Sequence, residues 1–136
     1  MPGAQPAPAH GEFRILVVDD EPVIVEVLIK IFGKLGYTCA AAYDGDEAIE
    51  KAREFQPNLV ITGVIMPRMN GIEAAKRIVD EQPACEILFF SGQAYCIDLE
   101  AAAKGYNFLP ILQKPVHPRV LVELAAGSAA RSHARR

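Results

Sequence analysis

Tryptophan is absent from this 136-residue chain, and no stretch approaches the roughly 20 consecutive apolar residues that a membrane-spanning helix needs. Cysteine is scarce: Cys39, Cys85 and Cys96 are an odd number at wide spacing with no CxxC pair. That excludes a disulfide framework and a zinc module, and fits reduced thiols in a cytoplasmic protein. Charge of one sign is also lacking. A formal net charge of −3 is too weak to predict binding to nucleic acid or to a membrane surface. No P-loop and no GxGxxG occurs, which removes the commonest nucleotide-binding signatures. The first residues carry Pro2, Pro6 and Pro8 among alanines, without a basic stretch or an apolar core. Residues 1–11 are therefore expected to be a disordered leader rather than a signal peptide.

What is present is apolar and periodic. Hydrophobic residues make up 51% of the chain, enough for one domain with a real core. Residues 13–18 form a near-continuous apolar run, as a central parallel strand does. The run stops at Asp19-Asp20-Glu21, and Pro22 then fits the first turn of a helix reaching about Leu35 and Gly36. On that helix Ile24, Leu28, Ile31 and Leu35 make the expected inward stripe. Val25, Ile29 and Phe32 widen the apolar sector, as a core border or a docking surface. Residues 37–42 are a second strand, and Asp44 with Glu47 is a capping box for a second helix. Residues 59–62 are the third strand, and Asn70 with Glu73 repeats the box for a helix to about Gln82. A fourth strand covers 86–90, a helix 94–104, a short fifth strand lies within 108–113, and a last helix runs from Pro118 to about Ala126. Residues 127–136 are expected to be a flexible tail. Five strand-helix repeats with short connections demand a parallel sheet with helices on both faces, whose working site lies at the carboxyl ends of the strands. Those ends carry Asp19-Asp20, Gly63 and Ser91, with Lys114 after the fifth.

Adjacent carboxylates at a strand end suit a cation, because Mg²⁺ prefers hard oxygen ligands. Equally, Asp20 or Glu21 suits a helix cap that favours the helix dipole. Lys114 can neutralise that cluster or hold an anionic oxygen, and Ser91 can donate to an anion or cap locally. On spacing alone both readings stand.

Taken together and in order, Val17-Val18-Asp19-Asp20-Glu21, the third strand leading to Met66-Pro67 with Asn70-Gly71 beyond, Ser91-Gly92 and Lys114-Pro115 resemble the receiver domain of bacterial two-component response regulators. The resemblance covers residues 12–126. It implies a flavodoxin-like (βα)5 doubly wound sheet with strand order 2-1-3-4-5. By position it implies that Asp19 and Asp20 hold Mg²⁺ with the backbone carbonyl of Ile65. It also implies that Ser91 and Lys114 contact a phosphoryl group. A sensor histidine kinase or phosphotransfer protein is the implied donor, and a downstream protein or a fused output domain the implied target. The implied protein is a cytoplasmic signalling module, not an enzyme, and a monomer or weak homodimer without nucleic-acid or membrane partners.

Two departures stand out. The phosphoacceptor aspartate of the resembled family belongs at residue 63, where this chain has Gly63, which cannot form an acyl phosphate. Thr62 is next door, but strand alternation points it to the opposite face. Without that carboxylate Mg²⁺ binding is expected to be weak or absent, and Lys114 is freer to pair with Asp19 or Asp20. The second departure concerns the stretch before Lys114. The resembled family has a glycine seven residues before the lysine and an aromatic three before it, whereas this chain has Asn107 and Ile111 there and Gly105 nine before. Tyr106 and Phe108 are read as packing residues. The leading expectation is a receiver-fold interaction module that is not phosphorylated at the usual place. The alternative is an ordinary receiver whose aspartate was altered in this copy, and a more distant one is a Mg²⁺-dependent phosphotransfer or flavin enzyme on the same sheet.

Overall fold

The computed structural model describes residues 12–66, 69–92 and 105–134. The apolar runs become β1 (Arg14–Val18), β3 (Leu59–Gly63) and β4 (Glu86–Ser91), in which nearly every residue is buried. β2 (Thr38–Ala42) is alanine-rich and half-exposed, as an edge strand can be, and β5 (Leu112–Gln113) is the short opposite edge. α1 (Pro22–Lys34), α2 (Gly45–Phe55), α3 (Gly71–Glu81) and α4 (Pro118–Ala134) complete the described elements. The strands are parallel in the order β2-β1-β3-β4-β5, the flavodoxin-like topology expected from the repeat.

Period-2 alternation sorts the strand residues into two cores. Leu16, Val18 and Val60 face α2 and α3, meeting Ile49, Ala52, Ile72 and Ile78. Ile15, Val17, Leu59 and Ile61 face α1 and α4, meeting Val25, Leu28, Phe32 and Leu121. Each such side chain contributes about 1.5–3 kcal/mol by burial, so β1 and β3 are held firmly on both faces. Whatever follows them is placed with little freedom. Val18 pairs in register with Thr62, which sets Asp19 level with Gly63 at the sheet's edge.

Both N-caps form, and at Asp44 a Glu47 side-chain bond closes the turn one residue earlier. Asp44 accepts from the Glu47 N–H at 2.8 Å, and Glu47 Oε1 reaches back to the Tyr43 N–H at 2.7 Å. Asn70 accepts from the Glu73 N–H at 2.8 Å. Gly71 is required at the start of α3 by close approach, since a Cβ there would overlap the carbonyl oxygen of Gly63.

Two expectations are corrected. The residues that α1 buries are Val25, Leu28 and Phe32; of the expected stripe Leu28 is among them and Ile24 packs partly buried against the same core. Two overlapping stripes share Leu28, and the one carrying the large Phe32 ring turns inward, leaving Leu35 at the C-cap 39% exposed. The last helix also does not stop near Ala126. It runs to Ala134, because Ser128 is buried and Arg131 clamps Glu86 with bonds of 2.9 Å from both Nε and Nη2. The expected flexible tail is therefore helical from residue 127 to 134. The expected leader and the expected helix at 94–104 lie outside the described residues. None of the described helices is long and apolar enough to cross a membrane.

Candidate functional site

The carboxyl ends of β1, β3 and β4 and the residue after β5 enclose an open cleft of about 320 Å³ lined by Asp19, Asp20, Gly63, Ile65, Ser91 and Lys114, together with Glu21 and Phe90. All six positions singled out in the sequence thus meet at one place. Register does this: Ser91 pairs with Gln113, and the Lys114 N–H donates to the Ser91 carbonyl at 2.8 Å. The Lys114–Pro115 peptide is cis.

Asp19 is the most buried carboxylate in the cleft, 1% exposed. Its Oδ1 accepts from the Glu21 N–H at 2.9 Å, and its Oδ2 accepts from Lys114 Nζ at 3.0 Å. Lys114 Nζ also lies 3.7 Å from Glu21 Oε1 and sits over the Phe90 ring, 4.8 Å from its centroid. The ammonium is thus held from three sides. Glu21 stands at the N-cap of α1 but its side chain makes no capping bond; the bond that settles this helix start comes from Asp19. Glu21 and Phe90 were not assigned to Lys114 from sequence. Phe90 gave a signal only as an apolar strand residue beside Ser91.

Asp20 is exposed, yet its carboxyl pKa is raised from the ordinary value, first by partial burial and then by the negative charge of Asp19. Asp19, by contrast, has its cation in Lys114. Ser91 is 4% exposed and ends β4 within the cleft wall. At Gly63 the wall is bare backbone. A Cβ built there would lie 3.0 Å from Asp19 Oδ2, tighter than ordinary contact. The carboxylate of Asp19 leans into the space that a residue-63 side chain would start from. Thr62 does face away: it is 2% exposed, and its hydroxyl donates to the Gly63 carbonyl at 2.9 Å.

Asp19, Asp20 and the Ile65 carbonyl are chemically suited to Mg²⁺ as hard oxygens. Of these, Asp19 Oδ2 accepts from the Lys114 ammonium at 3.0 Å, so a metal ion would share that carboxylate with a cation. Among the described residues no three His, Cys, Asp or Glu side chains are grouped to hold an ion.

The aromatics near residue 106 lie elsewhere. Phe108 packs edge-on against Phe89 at 5.1 Å and stacks with Tyr106 at 5.3 Å, and the Tyr106 hydroxyl bonds Asp80 on α3 at 3.1 Å. Ile111 is partly buried against the same core.

The family model for the response regulator receiver domain matches residues 15–126. The chain belongs to that family. Among curated receiver proteins, it is 37% identical over 115 residues to the chemotaxis protein CheY of Thermotoga maritima, covering 81% of this chain and 92% of that one. It is 34% identical to the alkaline phosphatase synthesis transcriptional regulatory protein PhoP of Bacillus subtilis, covering 79% of this chain but 46% of that longer protein. Among solved receivers, the CheY-like domain of Methanospirillum hungatei superposes with a TM-score of 0.86 at 23% identity, over 93% of this chain and 100% of that one. The response regulator TrrA of T. maritima, solved with Mg²⁺ and BeF, superposes at 0.74 with 28% identity, over 85% of this chain and 97% of its own. The receiver fold and the family's place in two-component signalling follow.

Proposed function

We propose that this chain is a receiver-fold signalling module that is not phosphorylated at the family's usual position and works by protein contact. One observation carries the reading. The residue at the end of β3, level with Asp19 and lining the same cleft as Ser91 and Lys114, is Gly63, and it offers no carboxylate. Lys114 serves as a fixed counter-ion to Asp19 instead of a phosphoryl clamp. Asp20 and the Ile65 carbonyl are the groups left to a metal ion, so Mg²⁺ is bound weakly or not at all. A sensor histidine kinase or phosphotransfer protein of the kind that serves receivers is a docking partner, and a downstream protein or a fused output domain reads the result.

A second reading is favoured by the retention of Asp19, Asp20, Ser91 and Lys114 around the gap: an ordinary receiver whose aspartate was altered at residue 63. Restoring the acid tests both. We expect Gly63→Asp to be labelled by acetyl phosphate in Mg²⁺ buffer, seen as one phosphoryl adduct in the intact mass. A folded Gly63→Asp that stays unlabelled would show that the surrounding residues no longer form a phosphoryl site.

A further inference from the structure

The edge strand β2 carries none of the devices that usually keep a sheet edge from pairing. Residues 37–43 read Tyr-Thr-Cys-Ala-Ala-Ala-Tyr, without a charge or a proline. Among the described residues no strand pairs the outer side of β2. The ladder to β1 fixes which backbone groups look outward. The Thr38 N–H donates to the Phe13 carbonyl at 3.3 Å, and the Ala42 carbonyl accepts from the Asp19 N–H at 3.3 Å. Alternate residues of a strand turn their N–H and C=O to opposite sides. Thr38, Ala40 and Ala42 therefore serve β1, while the N–H and C=O of Cys39 and Ala41 face the open side. Beyond them the edge closes: the Tyr37 N–H donates to the Phe32 carbonyl at 3.2 Å, and the Tyr43 N–H to Glu47 Oε1 at 2.7 Å.

Cys39 and Ala41 lie symmetrically about Ala40, so a strand of the same spacing running the other way fits this edge. We infer that the open edge of β2 docks β2 of a second copy of this chain, paired antiparallel about Ala40 as a two-fold dimer. In that register Cys39 of each copy exchanges both backbone bonds with Ala41 of the other. Ala40 meets Ala40 on the axis, where opposed side chains stand closest and small ones fit. Tyr43 comes level with Tyr37 across the same axis. Charge agrees. Ile29 of α1 packs into the same core as Cys39 and Ala41, and the exposed Glu26 and Lys30 flank it by helical periodicity. Two-fold symmetry runs the two α1 helices antiparallel and opposes the acid of one to the base of the other. The strand is short, so the association is weak and depends on concentration. The pairing is independent of residue 63 and adds a contact between copies to the module proposed above.

Sedimentation of the full chain and three variants test it. The unaltered chain, 14.8 kDa as a monomer, should shift toward twice that mass as its concentration rises. Ala41→Pro deletes an outward N–H and leaves the ladder to β1 whole, as proline on an edge strand can. It should weaken the association about tenfold, because each copy loses one bond to the other. Register is read by cross-linking. Ala40→Cys places two thiols on the axis with Cα atoms about 4.5 Å apart, within reach of a disulfide. Mild oxidation should therefore link its copies faster than those of Thr38→Cys, which puts a more exposed thiol away from the axis. Three results overturn the inference. One is a chain that stays monomeric up to about 1 mM, where even a millimolar association is half formed. Another is a folded Ala41→Pro that associates like the parent. The third is an Ala40→Cys that links no faster than Thr38→Cys, and this comparison decides should Ala41→Pro fail to fold.

Discussion

At the carboxyl end of the sheet Lys114 meets Asp19, a carboxylate 1% exposed, at 3.0 Å. At the amino end Arg131 meets Glu86, with side chains 47% and 15% exposed, through two bonds of 2.9 Å. By geometry the second pair is the better one, bidentate and planar. By consequence the first is. Water can take over from Arg131 if it is lost, but it has little access to Asp19, so losing Lys114 strands a buried charge. The amino end tolerates change because it is wet. The carboxyl end is consequential because Asp19 is 1% exposed and one ammonium meets its charge.

The largest effect that separates the two ends should come from Lys114→Gln, with a loss of about 3 kcal/mol in chemical denaturation. Arg131→Ala should cost less than about 1 kcal/mol. Its cost should shrink in high salt as screening removes the exposed pair, while the cost of Lys114→Gln should hardly move. Equal losses, or equal salt dependence, would abolish the contrast. The smallest effect has the opposite sign. Asp20 has a raised pKa in the folded state, through burial and the charge of Asp19. Below the unfolded carboxyl value both states are protonated and Asp20 costs nothing. As pH rises through that value and on through the folded one, the unfolded chain ionises first and native stability falls. Asp20→Asn should therefore stabilise the protein slightly at neutral pH, by less than about 1 kcal/mol given its exposure, with the gain vanishing in acid. Thermal melts of the two proteins at neutral and acid pH check this.

Much of the fold was legible because its signals are local and strong. The apolar runs at 14–18 and 59–63, the Asp44 and Asn70 N-caps and Pro22 at a helix start each carry their own physics, and each is found in place. The face of α1 was misread because its apolar sector is wide enough to hold two stripes, and only packing against Leu121 and the strands chooses between them. The end of α4 was misread because alanine, serine and arginine after Ala126 look like a solvated tail. The clamp on Glu86, forty-five residues away in sequence, leaves no local trace.

The cleft was legible in its members and not in its wiring. Motif order put Asp19, Asp20, Gly63, Ser91 and Lys114 at one edge, and a freed Lys114 pairing with Asp19 or Asp20 was anticipated. That Asp19 is the partner, that Phe90 and Glu21 hold the ammonium, and that Asp19 crowds the residue-63 position are three-dimensional facts set by the burial of β1 and β3.

The central claim is that this receiver cannot accept a phosphoryl group at residue 63, and its most direct test is the intact mass of the unaltered chain after incubation with acetyl phosphate and Mg²⁺. The account predicts no phosphoryl adduct under conditions that label Gly63→Asp. A stoichiometric, acyl-phosphate-like adduct on the unaltered chain, lost on treatment with hydroxylamine, would contradict it.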